Sequence, residues 1–529
     1  MFDSVTPPRL STIRLLLAHF GAALTLFLAT TDATIVSTAL PTITSQFNAS
    51  QTEYTWVSVM YMLTQTAFQP LYGRVSDLIG RMTVLYTSLV IFAAGSALCG
   101  TAQSIRWLII ARAIAGIGGG GIVSLVWTIT SEIVAVQNQA KWSQALSVTW
   151  ACSAVAGPLL GGLFSEKSGI LNWRWASIII IWLSLRSVDI GSSRGVSWQK
   201  FGQTFDFIGL VLFMSGSSCI VIGFNFASQL GWTAPATWCT ISAGFVVLIL
   251  GGFYEVRTSR DALFPPIAFK DLTIVVILVI TFLHNFAFNA GTFYLALYFQ
   301  VVDGLSPLKA GITMLPYSLG SSLASMPTAW FIGWWQRRKL DTSGQKIMIC
   351  VGLVMSTAGF GLMILLDERT AYALQSVYPL IAGLGIGMLF HAPYQVFTRA
   401  LRRRDVAAGT SAFFLVRFTG ATVGLSVAGA VFHSRLSKTL PAGMEASVVL
   451  EWINSLQPYS NKAEVVHALS LSIQAIWAVC CPCLGVALLI SMFTRKLSIE
   501  DDSGGDPEKA SGSTLTQDST LTCEGEAGA

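Results

Sequence analysis

Between two apolar stretches the chain reads Gly73-Arg74-Val75-Ser76-Asp77-Leu78-Ile79-Gly80-Arg81-Met82. The two glycines suit a tight reversal between close helices. Asp77 suits a helix N-terminus or a cation, and Arg81 suits a helix C-terminus or a carboxylate. On either side, residues 54–72 and 83–99 are mostly apolar and free of charged side chains. A bilayer-spanning helix needs ~20 such residues. The decapeptide therefore reads as a short basic turn joining two membrane spans.

Working outward, the same reading recurs. Apolar segments fall at 15–40, 54–72, 83–99, 107–128, 142–164, 175–190, 205–226, 237–254, 272–299, 312–335, 347–366, 376–397, 410–432 and 466–492, fourteen in all. Of the 32 Lys and Arg residues, 21 lie in the termini and even-numbered loops and 8 in the odd loops, while Arg112, Arg186 and Arg417 lie inside segments. Basic residues are retained on the cytoplasmic side, so both termini are expected inside. Hydrophobic residues make up 53% of the chain and charged residues 11%, against ~25% charged in soluble domains. This composition excludes an ordinary soluble domain and points to an all-α integral membrane protein. No basic patch with interleaved aromatics suggests nucleic acid. No P-loop suggests direct ATP use, and no Ser-His-Asp or metal-ligand cluster suggests an enzyme.

Breaks in the pattern divide the chain. Residues 1–14 read as a cytoplasmic N-terminus and 15–190 as a six-helix bundle. Residues 191–271 read as cytoplasmic linkers around an inserted helix pair (205–254), and 272–495 as a second six-helix bundle. Residues 496–529 read as a disordered acidic cytoplasmic tail. The first apolar run lacks a small-residue cleavage site, so it is expected to remain as a span. The sixth segment is short: Trp175 to Leu185 gives ~16 Å of helix against a ~30 Å core. It is counted as a span because the charge bias keeps its phase beyond it. Eight of the nine cysteines lie in segments, which implies no disulfide framework. Cys480-Cys481-Pro482-Cys483 has no accompanying His or carboxylate, so no metal is expected there. Asn48-Ala49-Ser50 is a glycosylation sequon in the first outer loop.

Several in-span polar residues are candidates for function, because charge inside a membrane is costly. Asp32 lies deep in the first segment. Arg112 lies a few residues into the fourth, from its outer end. In the ninth, Asn285, Asn289 and Thr292 fall at i, i+4 and i+7 on one helical face, with His284 adjacent. With His391 and Gln395 they are expected to line a central cavity. Arg417, in the thirteenth segment, is a further candidate, with an anchor near the cytoplasmic end as its alternative reading. Gly157, Pro158, Gly161 and Gly162 allow a kink and close helix approach.

The decapeptide resembles the G-x-x-x-D-x-x-G-R loop of the major facilitator superfamily, with Met82 where a second basic residue is usual. Thr31-Asp32-Ala33-Thr34 through Pro41 resembles the first-helix motif of that superfamily's fourteen-span drug:proton antiporter branch. Arg112 through Gly121 resembles the fourth-helix motif, with Ala115 in place of Gln. Gly157-Pro158-Leu159-Leu160-Gly161-Gly162 resembles the fifth-helix antiporter motif. Trp173-Arg174-Trp175, Leu297 to Gln300 and Gly383 to Gly387 also look like that branch. The resemblance covers residues 15–495 and has the style of fungal toxin and multidrug exporters.

The resemblance implies two six-helix bundles plus an inserted pair, working by alternating access. It implies proton coupling through Asp32 and Arg112. It also implies gating by Gly73, Asp77, Gly80 and Arg81 and by Gly157, Pro158, Gly161 and Gly162. The expected activity is proton-driven efflux of an amphipathic drug, toxin or secondary metabolite, by a monomer with no cofactor other than protons. The plasma membrane is the expected address, with the vacuolar membrane as alternative. A vacuolar or uptake carrier for amino acids or siderophores, and a non-transporting sensor, remain the other readings.

The charge bias generates a test of topology. A single cysteine placed in the 433–465 connection should react with a membrane-impermeant thiol reagent in intact cells. Reaction only after permeabilisation would contradict the fourteen-span arrangement.

Overall fold

The computed structural model describes residues 12–47, 51–134, 139–165, 205–258, 260, 271–339, 341–401, 406–440 and 462–495. The short sixth segment, Asn48 and the C-terminal tail lie outside the described residues. Those described form α1 (Thr12–Gln46), α2 (Gln51–Ile79), α3 (Arg81–Gly100), α4 (Ile105–Ile133), α5 (Gln139–Ser165), α6 (Phe207–Leu230), α7 (Pro235–Arg257), α8 (Leu272–Val301), α9 (Pro307–Thr313), α10 (Leu315–Lys339), α11 (Ser343–Met363), α12 (Tyr372–Met388), α13 (Ala392–Arg399), α14 (Val406–Thr439) and α15 (Lys462–Ser491). Among the described residues, 11 stretches are long and apolar enough to cross a bilayer. The protein is a multi-pass membrane protein.

Two long helices, α2 and α10, are not among those 11 stretches. The reason is where their polar side chains go. Gln65, Thr66 and Gln69 of α2, and Ser318, Ser321 and Ser325 of α10, are all buried. Facing protein rather than lipid, they escape the cost of polar groups in hydrocarbon. By contrast α7 turns Phe245, Val246, Ile249, Leu250 and Phe253 outward, as a lipid-facing helix must.

In the N-terminal half α1 packs on α5, and α4 packs on both α2 and α3. In the C-terminal half α8 packs on α14 and α15, and α12 packs on α10 and α11. The halves meet along two seams: α5 against α9 and α10, and α2 against α14. The inserted helices α6 and α7 pair with each other, and α6 lies against both α2 and α14 at the second seam. Small residues permit this closeness. A methyl group at Gly118 of α4 would lie 2.5 Å from the Ser88 carbonyl oxygen of α3. Gly383 and Gly387 of α12 meet the Tyr317 and Ser321 carbonyls of α10 in the same way.

Three local expectations are corrected. Residues 73–79 continue α2 as helix, and the reversal into α3 is made at Gly80 alone, with φ 104°. Gly73 is buried inside α2. The tenth segment breaks at Met314 into α9 and α10. The twelfth breaks at Leu389–His391 into α12 and α13. Each new helix carries proline in its first turn, Pro316 and Pro393, where the absent N–H costs nothing.

The outer turn after α8 carries a pH-sensitive group. Asp303 accepts a hydrogen bond from Gln375 Nε2 at 3.2 Å. Burial raises its carboxyl to about 6, against the opposing effect of that hydrogen bond. The unfolded value lies near ~4, so the folded state holds the proton more tightly. This group's contribution to stability therefore falls as pH rises from the unfolded value through about 6, and is level above. Asp303→Asn should remove that part of the pH dependence and raise the thermal midpoint at neutral pH. Unfolding scans of both proteins in detergent across this window check it. Parallel curves would contradict it.

Candidate functional site

Asp32 and Arg112 are 80 residues apart in sequence and meet inside the N-terminal half. Asp32 lies two-thirds of the way along the membrane part of α1, and Arg112 two turns into α4. Both are buried, at 6% and 4% exposure. Arg112 Nη1 donates to Asp32 Oδ2 at 2.6 Å. The guanidinium carbon sits 4.2 Å from the centroid of the Tyr61 ring on α2. Tyr61 Oη in turn donates to the Ala29 carbonyl of α1 at 3.1 Å. Three helices are thus tied at one point. Arg112 Nε has no partner among the described residues. Removing one member of a buried pair typically costs about 3–5 kcal/mol, because the other charge is left uncompensated.

Beside the pair is a cavity of about 40 Å³. One water needs roughly 10–15 Å³, so the space holds a few. Asp32 and Arg112 form its polar wall. Ile43, Val57 and Leu108 bound it toward the outer ends of α1, α2 and α4, and Gly161 and Phe164 of α5 bound its side. A carboxylate that reaches such a space can exchange a proton with water.

α5 connects this pair to the other half. Gly157 and Gly161 press against Thr34, Ile35 and Thr38 of α1, within two turns of Asp32. Thr38 Oγ1 donates to the Pro158 carbonyl at 2.9 Å. A methyl group at Gly162 would lie 2.7 Å from both the Pro307 carbonyl oxygen and Leu308 Cα of α9. α5 is therefore wedged between the Asp32 helix and the C-terminal half.

The expected cavity residues of the C-terminal half fall into two groups. On α8, Asn285 Nδ2 donates to Thr281 O at 2.9 Å, Asn289 Nδ2 to Asn285 O at 3.2 Å, and Thr292 Oγ1 to Phe288 O at 2.9 Å. His284 Nδ1 is 3.3 Å from Asn285 Nδ2, and its ring packs against Phe390, at 5.6 Å between ring centroids. The second group lies on α13 and its approach. Gln395 Nε2 is 2.6 Å from His391 Nε2, and Gln345 Nε2 donates to Gln395 Oε1 at 3.5 Å. Trp127 of α4 lies against this group, with its ring centroid 6.4 Å from that of His391 and 4.8 Å from that of Tyr394.

Arg417 lies eleven residues into α14 and is buried. Its Nε donates to Asn285 Oδ1 at 3.2 Å, and its guanidinium carbon is 4.1 Å from the Trp150 ring centroid of α5. Trp127 and Trp150 were not among the sequence candidates. A tryptophan in an apolar helix carries no mark that distinguishes a central position from a lipid-facing one.

At the turn between α2 and α3 Arg81 reaches both of its expected partners. Nη2 meets Glu132 Oε1 of α4 at 2.7 Å, and Nη1 donates to Ser76 Oγ at 2.7 Å and to the Gly73 carbonyl at 3.5 Å. A cation at the first residue of α3 opposes that helix dipole, and these acceptors offset it. The side chain of Asp77 lies outside the described set.

Comparison with known proteins agrees with this architecture. The Major Facilitator Superfamily profile matches residues 22–187. An uncharacterized MFS-type transporter of Schizosaccharomyces pombe is 33% identical over 495 residues, covering 91% of this chain and 82% of that protein. Efflux pump dotC of Dothistroma septosporum is 29% identical over 442 residues, covering 81% and 73%. A bacterial homologue of the human lysosomal transporter Spinster, solved inward-facing and unoccupied, superposes with a TM-score of 0.57 at 14% identity, covering 91% and 98%. With two helical halves meeting along α5 and α14, and relatives of this similarity over nearly its whole length, the chain belongs to the major facilitator superfamily of membrane transporters.

Proposed function

We propose that this transporter is a proton-coupled exporter of an amphipathic small molecule, working by alternating access at the plasma membrane. The observation that carries the reading is the buried Asp32–Arg112 pair beside a cavity, on a helix packed directly against α5. The efflux direction is supported by likeness to efflux pump dotC. In this reading the protein acts as a monomer in the lipid bilayer. It uses protons as coupling ion, needs no other cofactor and does not engage nucleic acid.

The physical route is short. A proton entering the cavity neutralises Asp32 and strips Arg112 of its counter-charge. Arg112 keeps the Tyr61 face, a contact of about 0.5–2 kcal/mol, which does not replace the lost ion pair. The α1–α4 contact is then the weak point of the half. Because α1 bears on α5 through Gly157 and Gly161, its shift moves α5 against Pro307 and Leu308 of α9. Protonation is thereby linked to the seam that must open and close.

Efflux from proteoliposomes with and without an imposed pH gradient tests the coupling. Asp32→Asn should lose the dependence of flux on the gradient and lose accumulation. Asp32→Glu should retain part of the flux with a shifted pH profile. Full gradient-driven transport by Asp32→Asn would exclude Asp32 as the carrier of the proton.

The α5 wedge yields a separate prediction. Gly157→Leu and Pro158→Leu should reach the membrane at normal levels and transport at least about tenfold more slowly, since overpacking typically costs about 1–3 kcal/mol. Surface labelling alongside efflux measures both quantities. Unchanged efflux at normal surface level would show that the wedge plays no part in the cycle.

A further inference from the structure

Two arginines are buried in the spans of the described residues, and they are held in opposite ways. Arg112 has a carboxylate at 2.6 Å. Arg417, equally buried at 3% exposure, takes part in none of the ion pairs among the described residues. Its Nε bonds a neutral amide, Asn285 Oδ1, and its Nη2 has no partner there. The sequences of the helices around it explain why. Neither α5, α8, α12, α13 nor α14 contains an Asp or Glu, and in α2, α4 and α15, which also pack on α14, the carboxylates (Glu53, Asp77, Glu132 and Glu464) stand near the helix ends. No rotamer change within those helices brings a carboxylate to it.

An arginine keeps its proton in proteins, and an unpaired buried cation is expensive. The Trp150 face offsets only part of that cost. The surroundings also describe what would satisfy it. The guanidinium bridges the two halves, with Trp150 from the N-terminal half and Asn285 and Phe414 from the C-terminal half. The Trp150 and Phe414 rings are nearly parallel, at 5° with centroids 6.3 Å apart, and Phe418 lies 6.5 Å from Trp150. A planar guanidinium with a free edge matches a carboxylate-like group bidentately. The flanking rings match a flat apolar body.

We propose that Arg417 is the subsite for the anionic group of the cargo, and that the cargo is an aromatic or conjugated organic anion. The proposal rests on the reading of the chain as an exporter of an amphipathic small molecule, and it names that molecule's charge. The anion supplies at the seam the counter-charge that Asp32 supplies to Arg112 within the N-terminal half. When the halves part, Trp150 leaves the guanidinium and the free edge is open to the cargo.

The test is equilibrium binding, which needs no gradient and so is independent of proton coupling. Purified full-length protein in lipid nanodiscs is titrated with 2-naphthoate and with 1-pyrenebutyrate, each against its primary amide, and binding is read by the shift of the thermal unfolding midpoint. The acids should bind the wild type about ten- to a hundredfold more tightly than the amides, the range of a charge-assisted hydrogen bond. Arg417→Gln should abolish that preference. Arg417→Lys, which keeps the charge and loses the fork, should retain a reduced one. Without ligand, Arg417→Gln and Arg417→Met should unfold no earlier than the wild type, because an unpaired charge has been removed. No preference for the acids in the wild type, or a preference that survives Arg417→Gln, overturns the proposal. So does marked destabilisation of ligand-free Arg417→Met, which would mark a structural anchor. Any of these failures leaves the exporter reading standing, with a neutral or cationic cargo.

Discussion

A charge inside an apolar bundle must be compensated, and this constraint organises the N-terminal half. Asp32 and Arg112 neutralise each other at 2.6 Å, and the helices that carry them are held at the distance this requires. Tyr61 closes the third side, bonding α1 with its hydroxyl and facing Arg112 with its ring. The run of glycines in α4 has its reason here. Gly116 and Gly119 face the Tyr61 carbonyl and hydroxyl, so any larger residue would push α2 away from the pair. Packing and electrostatics are one arrangement.

The same constraint distinguishes the two halves. In the first, the counter-charge is built into the protein. In the second, Arg417 takes part in no ion pair among the described residues and rests on an amide and an aromatic face. Between them runs α5, which touches α1 through Gly157 and Gly161, α9 through Gly162, and Arg417 through Trp150. One helix thus meets the proposed proton site, the seam between halves and the proposed cargo site. This is a physical basis for coupling, because none of these contacts has room to shift alone.

Much of the fold was legible because the bilayer imposes a length and an apolarity that leave a plain trace. The pairing of α6 with the seam between α2 and α14 was not, since nothing in an apolar helix names its neighbour. The breaks at Met314 and at Leu389–His391 were signalled by Pro316 and Pro393 but hidden inside otherwise continuous apolar runs. Gly80 was readable as a turn, whereas Gly73 lies within a helix. At the site, Asp32 and Arg112 stood out as charges inside spans, and their meeting is a tertiary fact. Arg417 stood out equally. His284 and Asn285 are sequence neighbours that meet each other, Nδ1 to Nδ2 at 3.3 Å, while one also packs on Phe390 and the other also accepts from Arg417. Spacing along α8 does not tell which faces the seam.

The central claim is that Asp32 takes up and releases a proton while remaining inside the bundle beside Arg112. Infrared difference spectroscopy reads this directly, because a protonated carboxyl in an apolar setting has its own C=O stretch, separate from carboxylates and amides. Spectra of the purified protein in lipid, recorded between alkaline and acidic pH, should show such a band appearing on acidification, shifting in deuterium oxide and missing in Asp32→Asn. A band that remains unchanged in Asp32→Asn, or no protonated-carboxyl band in the wild type across the range where transport responds to pH, would contradict the account.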